Sequence, residues 1–137
     1  MIQRIQTLYL AVAAGACAWF LLSGLPQASG ILWQTVVICC LGAAAAGLCI
    51  VALLKHRNRQ EQARLINAAI AVSLVFSLVA YYSLYTSDNL YFRTVAGVDV
   101  PRLLALCTPI VAYVGMRLAR AGVRRDIRLV QSADRLR

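Results

Sequence analysis

At 137 residues, 61% of them apolar, with a mean hydropathy of +0.72, the chain carries more apolar side chain than one soluble domain of its size can hide. Fourteen Lys and Arg against five Asp and Glu leave a net charge of +9, and such basicity coexists with such hydrophobicity only where the two are segregated. A soluble globular enzyme, a disordered tail and a secreted disulfide scaffold are thereby excluded, and an all-α integral membrane protein with charged rims remains.

A hydrocarbon core about 30 Å thick needs roughly 20 predominantly apolar residues per helix, and four runs meet that demand. The first span covers about 5–25, bounded by Arg4 and by the turn Leu25-Pro26-Gln27-Ala28-Ser29-Gly30. A cleaved signal peptide is the competing reading there, but Ala18-Trp19-Phe20-Leu21-Leu22 carries the apolar run well past Cys17, so a retained span is expected. The second covers 31–54 and stops at Lys55-His56-Arg57; the third covers 65–84 and ends in Tyr85-Thr86-Ser87-Asp88-Asn89. The fourth, about 102–121, opens near Pro101, a favoured helix-start residue. Its uncharged stretch from Leu103 to Met116 reaches only about 21 Å at 1.5 Å per residue, so Arg102 and Arg117 must snorkel to the two interfaces. Residues 1–122 are thus expected to form a four-helix membrane domain and 123–137 a cytoplasmic tail.

Orientation follows from sorting the basic residues by loop. Arg4, the 55–64 connection and the end from Arg117 hold twelve of the fourteen, and the opposite side holds only Arg93 and Arg102. With the acids included, one side carries the whole +9 and the other is neutral. An even number of spans then puts both termini in the cytoplasm. Trp19, Phe20, Trp33, Tyr81, Tyr82, Tyr85, Tyr91 and Phe92 gather toward the opposite interface, as an aromatic belt would.

Short links after the first and second spans make the first three helices antiparallel neighbours, and an antiparallel four-helix bundle is the natural closure. Within lipid such helices associate through small residues and hydrogen bonds. Gly15, Gly42, Gly47, Ser73, Ser77 and Gly115 each head or close a pair of small residues four apart and are the candidate packing positions, with dimerisation the alternative use. Gln34, Asn67, Ser73 and Ser77 are expected to bond between helices. Pro109 should loosen the fourth helix near its middle.

Chemistry-bearing patterns are few. All five cysteines (Cys17, Cys39, Cys40, Cys49, Cys107) lie in spans, with no Cys-x-x-Cys and none in a loop, so apolar packing is their expected role. The sole histidine, His56, sits on the rim away from them, and no metal or cofactor site is expected. None of the first three spans contains an ionisable residue of the kind a proton-coupled exporter needs, and no hydrolase or phosphate-loop motif is present, so no enzyme activity is expected. In the outer loop 86–100, Leu90, Tyr91, Phe92 and Val95 suit an aromatic anchor on the membrane surface, with Asp88-Asn89 starting a turn or short helix.

The tail is the richest feature. At 100° per residue Val123, Ile127 and Val130 share one side, flanked by Leu129, Ala133 and Leu136, and the basic residues cluster opposite. Arg124, Arg125, Arg128, Arg135 and Arg137 are the candidate contacts to anionic lipid or a partner, each basic residue near an anionic leaflet contributing about 1 kcal/mol. Arginine would also suit RNA phosphates, a less favoured use.

Met1-Ile2-Gln3-Arg4-Ile5-Gln6-Thr7-Leu8-Tyr9-Leu10 at the start, with Asp126 and Val130-Gln131-Ser132-Ala133-Asp134-Arg135-Leu136-Arg137 at the end, resemble the four-span inner-membrane family of the Bacteroidota known as domain-of-unknown-function family 4293. The likeness runs the length of the chain and implies a bacterial inner-membrane location without enzyme activity; it transfers no functional residues. The segment Arg124-Arg125-Asp126-Ile127-Arg128 departs from the mixed Lys and acidic stretch of that family. The expected function is a non-catalytic accessory or scaffold subunit presenting its Arg-rich cytoplasmic helix to a protein partner or to anionic lipid. The alternatives are a small oligomeric channel or carrier and a membrane tether for RNA or ribosomes.

Overall fold

A computed structural model describes residues 2–55, 58–90, 93–94 and 97–135. Four helices make up almost all of it: α1 (Ile2–Leu22), α2 (Leu32–Leu54), α3 (Arg59–Thr86) and α4 (Val100–Arg135). Each is long and apolar enough to cross a membrane. Between α3 and α4 a two-residue strand β1 (Arg93–Thr94) pairs antiparallel with β2 (Gly97–Val98), Arg93 opposite Val98.

Helix ends are set by local chemistry. α1 stops at Leu22, short of the expected Leu25, because Gly24 turns left-handed at φ 76° and Ser23 Oγ donates to the carbonyl of Phe20 at 2.6 Å. Residues Leu25–Ser29 form a 3-10 turn with Pro26 in its first positions, closed by Gly30 at φ 66°. Thr35 Oγ1 donates to the Pro26 carbonyl at 3.0 Å and so ties that turn to the first turn of α2. α3 begins at Arg59, nearly two turns before the apolar run at Leu65, because Asn58 Oδ1 accepts from the Glu61 N–H and gives the polar first turn a cap. Asp88 ends the α3 connection at φ 54°, with the Asn89 N–H donating to the Leu84 carbonyl at 2.9 Å in the manner of a Schellman cap, so Asp88 closes a helix rather than starting one. Tyr91, Phe92 and Val95 of the expected outer anchor lie outside the described residues, and Leu90 is exposed.

The helices form a ring in which α1 packs on α2 and α4, and α3 packs on the same two. Alanine dominates the contact surfaces: Ala13, Ala45, Ala52, Ala69, Ala80, Ala112 and Ala119 are fully buried, and backbones approach closely across them. One core cluster gathers Leu10, Cys17, Cys49, Ile66, Met116 and Val123, and a second gathers Phe20, Ile38, Phe76 and Leu84. In the second, the Phe20 and Phe76 rings meet edge to face with centroids 5.4 Å apart. Phe20 therefore belongs to the core and not to the aromatic belt. Tyr81 also turns inward and donates its hydroxyl to the Leu106 carbonyl, while Trp19, Trp33, Tyr82 and Tyr85 stay exposed.

α4 runs for 36 residues without interruption, about 54 Å at 1.5 Å per residue, so no break separates the expected fourth span from the tail. Pro109 lies inside it and cannot donate to the Ala105 carbonyl. Thr108 Oγ1 fills that vacancy at 2.6 Å, so the helix passes through the proline with that carbonyl satisfied, and Tyr81 adds a bond from α3 to the next carbonyl, Leu106.

Candidate functional site

The basic face of α4 is the largest concentration of charge in the fold. Arg117, Arg120, Arg124, Arg125 and Arg128, with Ala121 at the floor, line a groove of about 290 Å³. Their spacing of three, four and one residues places them on one side of a helix. Arg124, Arg125 and Arg128 are three of the expected contacts, and Arg117 and Arg120 complete the groove they begin. No carboxylate lines it. Arg120 is half-buried, and its Nε is shielded from solvent without a hydrogen-bond partner among the described residues. Of the remaining expected contacts, Arg135 ends α4 and Arg137 lies outside the described residues.

The opposite side of the same helix explains how the groove is held. Val123 is buried and Ile127 packs on the core, so the apolar side of the tail is spent against the bundle as far as Ile127, while Leu129 and Val130 remain exposed. Asp126 is only 7% exposed. Its Oδ2 accepts from Gln6 Nε2 of α1 at 2.9 Å and pairs with Arg59 Nη1 of α3 at 2.7 Å. One carboxylate thus joins three helices and fixes the rotation of α4, which leaves Arg117, Arg124, Arg125 and Arg128 exposed and Arg120 half-buried at the edge of the bundle. Gln6 owes its position to Gly122, where an added Cβ would stand 2.7 Å from Gln6 Cγ. Charge counting alone does not find this centre; the signal available is that Asp126 is the one acid between Arg117 and Ala133.

The candidate packing residues divide. At Gly42 an added Cβ would meet Leu21 Cδ2 at 2.8 Å and Phe76 Cε2 at 3.0 Å, and at Gly115 it would meet the Tyr9 carbonyl oxygen at 3.2 Å, so both are true close approaches. Gly15 and Gly47 have nothing within 4 Å and take no part in packing within the chain. Ser73 is buried, yet its hydroxyl donates to Ile70 O of its own helix, and Ser77 donates to Ser73 O. These two do not bond between helices, because a serine in a helix finds the carbonyl one turn back before any neighbour. Gln34 does cross, accepting from Ser83 Oγ at 2.9 Å, and Gln62 Nε2 donates to the Ala52 carbonyl at 3.2 Å; Asn67 is exposed.

Cys17 and Cys49 are buried, Cys39 half-buried, and Cys40 and Cys107 exposed, all with free thiols. Among the described residues no three His, Cys, Asp or Glu side chains stand close enough to hold a metal ion.

The family described as "Domain of unknown function (DUF4293)" matches residues 2–136. Searches of curated proteins and of solved structures return no match.

Proposed function

The chain belongs to that family of unknown function, which matches it almost end to end, and on this footing we propose that it is a non-catalytic, multi-pass inner-membrane protein serving as an accessory or scaffold subunit. In this reading both termini lie in the cytoplasm, the helices alternate in direction, and α4 leaves the bilayer to offer its arginine face to anionic lipid or to a partner.

The observation that carries the reading is the groove of five arginines without an acid, on a helix whose opposite side is fixed by the Asp126 centre. Charge sorting supports the orientation, since the whole net +9 falls on one side of the four spans. Contacts support the alternation of direction: Gln6 meets Asp126 while Tyr9 meets Gly115, and Gln34 meets Ser83 while Gln62 meets Ala52. The exposed apolar belt, including Leu32, Leu78, Leu104 and Ile110, is what a lipid-facing surface requires.

Purification of the full chain in mild detergent, with lipid and protein analysis of what accompanies it, tests the proposal. A stoichiometric protein partner or retained acidic lipid is expected, lost when the groove arginines are changed to glutamine. A chain that runs alone and holds neither would refute it. Solute flux in liposomes, or salt-steep binding of structured RNA, would instead favour the channel or tether.

A further inference from the structure

α4 presents one continuous outward stripe at alternating spacings of four and three: Ile110, Val114, Arg117, Ala121, Arg124 and Arg128. Ile110 and Val114 are 56% and 46% exposed, and the arginines begin immediately below them. A soluble polyanion would have no use for that apolar continuation, whereas a lipid uses both parts, laying its chains along Ile110 and Val114 and its phosphates among the arginines. We propose that this face is a site for an anionic phospholipid whose headgroup carries two phosphodiesters, held by Arg117, Arg120 and Arg124.

Depth selects those three. A bilayer about 40–45 Å thick around a 30 Å core leaves roughly 5–8 Å of headgroup per leaflet, whereas Arg117 to Arg128 spans about 16 Å of helix. The whole groove therefore cannot lie at headgroup level. Arg117, Arg120 and Arg124 are the three groove arginines nearest the spans, and their long stems can bring guanidinium groups spread over about 10 Å of helix to one level, while Arg125 and Arg128 start farther into the aqueous layer. Planar guanidinium forks match phosphate oxygens in pairs. With three cations and no carboxylate lining the groove, a single phosphodiester leaves most of the charge unanswered. A second phosphate on the same headgroup binds at high effective concentration once the first is seated.

This inference rests on the orientation proposed above, and the test separates the two. The full chain, delipidated in neutral detergent, is titrated with diphosphatidylglycerol, with phosphatidylglycerol at equal phosphate, and with inorganic phosphate, and bound lipid is counted by native mass spectrometry. Diphosphatidylglycerol should bind at one molecule per chain and at least 10-fold more tightly than phosphatidylglycerol, with no competition from inorganic phosphate. The variant Arg117→Gln/Arg120→Gln/Arg124→Gln should weaken it about 100-fold, while Lys55→Gln leaves it unchanged. Lysine at the same three positions should restore only part of the affinity, since it keeps charge and loses the fork. Equal binding of the two lipids, displacement by inorganic phosphate, or an unaffected triple variant overturns the proposal. Accessibility of a C-terminal tag in spheroplasts is read in parallel: a cytoplasmic tag with failed lipid selectivity sinks only this inference, and an outward tag sinks the orientation with it.

Discussion

Removing the Asp126 carboxylate is the sharpest perturbation the fold offers. In Asp126→Ala, Gln6 Nε2 loses its acceptor at 2.9 Å and Arg59 loses an ion pair at 2.7 Å, at a centre only 7% exposed on the acid's side. Breaking a fully buried pair costs about 3–5 kcal/mol, chiefly through the charge left behind. Arg59, however, has a side chain 34% exposed and can turn to water, which discounts the ionic part. The loss of the Gln6 bond adds about 1 kcal/mol, so a total of about 2–3 kcal/mol is expected. For a chain of this length that is a fall of roughly 6–9 °C in the thermal midpoint, read from tryptophan fluorescence in detergent. Asp126→Asn should fall between wild type and Asp126→Ala, because the amide oxygen still accepts from Gln6. Arg59→Gln in the Asp126→Ala background should cost much less than in wild type, since the interaction is already gone. A midpoint for Asp126→Ala within about 1 °C of wild type, corresponding to less than about 0.5 kcal/mol, would mean that the carboxylate does not join the three helices.

Three further outcomes follow from the packing. Gly115→Leu should destabilise by about 1–3 kcal/mol or more, because an added Cβ already stands 3.2 Å from the Tyr9 carbonyl oxygen, whereas Gly15→Ala, with nothing within 4 Å, should be neutral or slightly stabilising; equal melting of the two variants contradicts the close approach of α1 and α4. Thr108→Val should cost about 1 kcal/mol by stranding the Ala105 carbonyl that Pro109 cannot reach, and Pro109→Ala should remove that penalty, so a penalty that persists without the proline argues against this account; Tyr81→Phe should cost about as much through the lost hydrogen bond to the Leu106 carbonyl. Cys17→Leu should destabilise by about 1–3 kcal/mol by overpacking a fully buried site, whereas Cys40→Leu, on an exposed face, should be close to neutral, as thermal melting in detergent can read; equal melting of the two variants would contradict the burial of Cys17.

Some of this was legible in the chain and some was not, for identifiable reasons. The 61% apolar content and the placement of the charges determine four apolar helices, since a bilayer-length run without ions can be counted directly, but not all of their ends: α3 begins six residues before its apolar run and α4 continues to Arg135. The arginine stripe is legible too, because its members share one helix and spacing alone sets their angles. Tertiary structure decided everything that depends on which helix stands beside which. The spacing of Gly15, Gly42, Gly47 and Gly115 is alike, yet only Gly42 and Gly115 face a neighbour, because helix rotation and not periodicity chooses the contact. Phe20 entered the core by the same rule, meeting Phe76 from a helix to which nothing in its local pattern points. Asp126 is the clearest case: as a residue in a basic tail it is one negative charge among many positive ones, and only the meeting of α1, α3 and α4 brings Gln6 and Arg59, 120 and 67 positions away in the chain, onto one oxygen. Hydrogen bonds and ion pairs act over about 3 Å, so no property of the intervening sequence encodes them until the backbone has closed that distance.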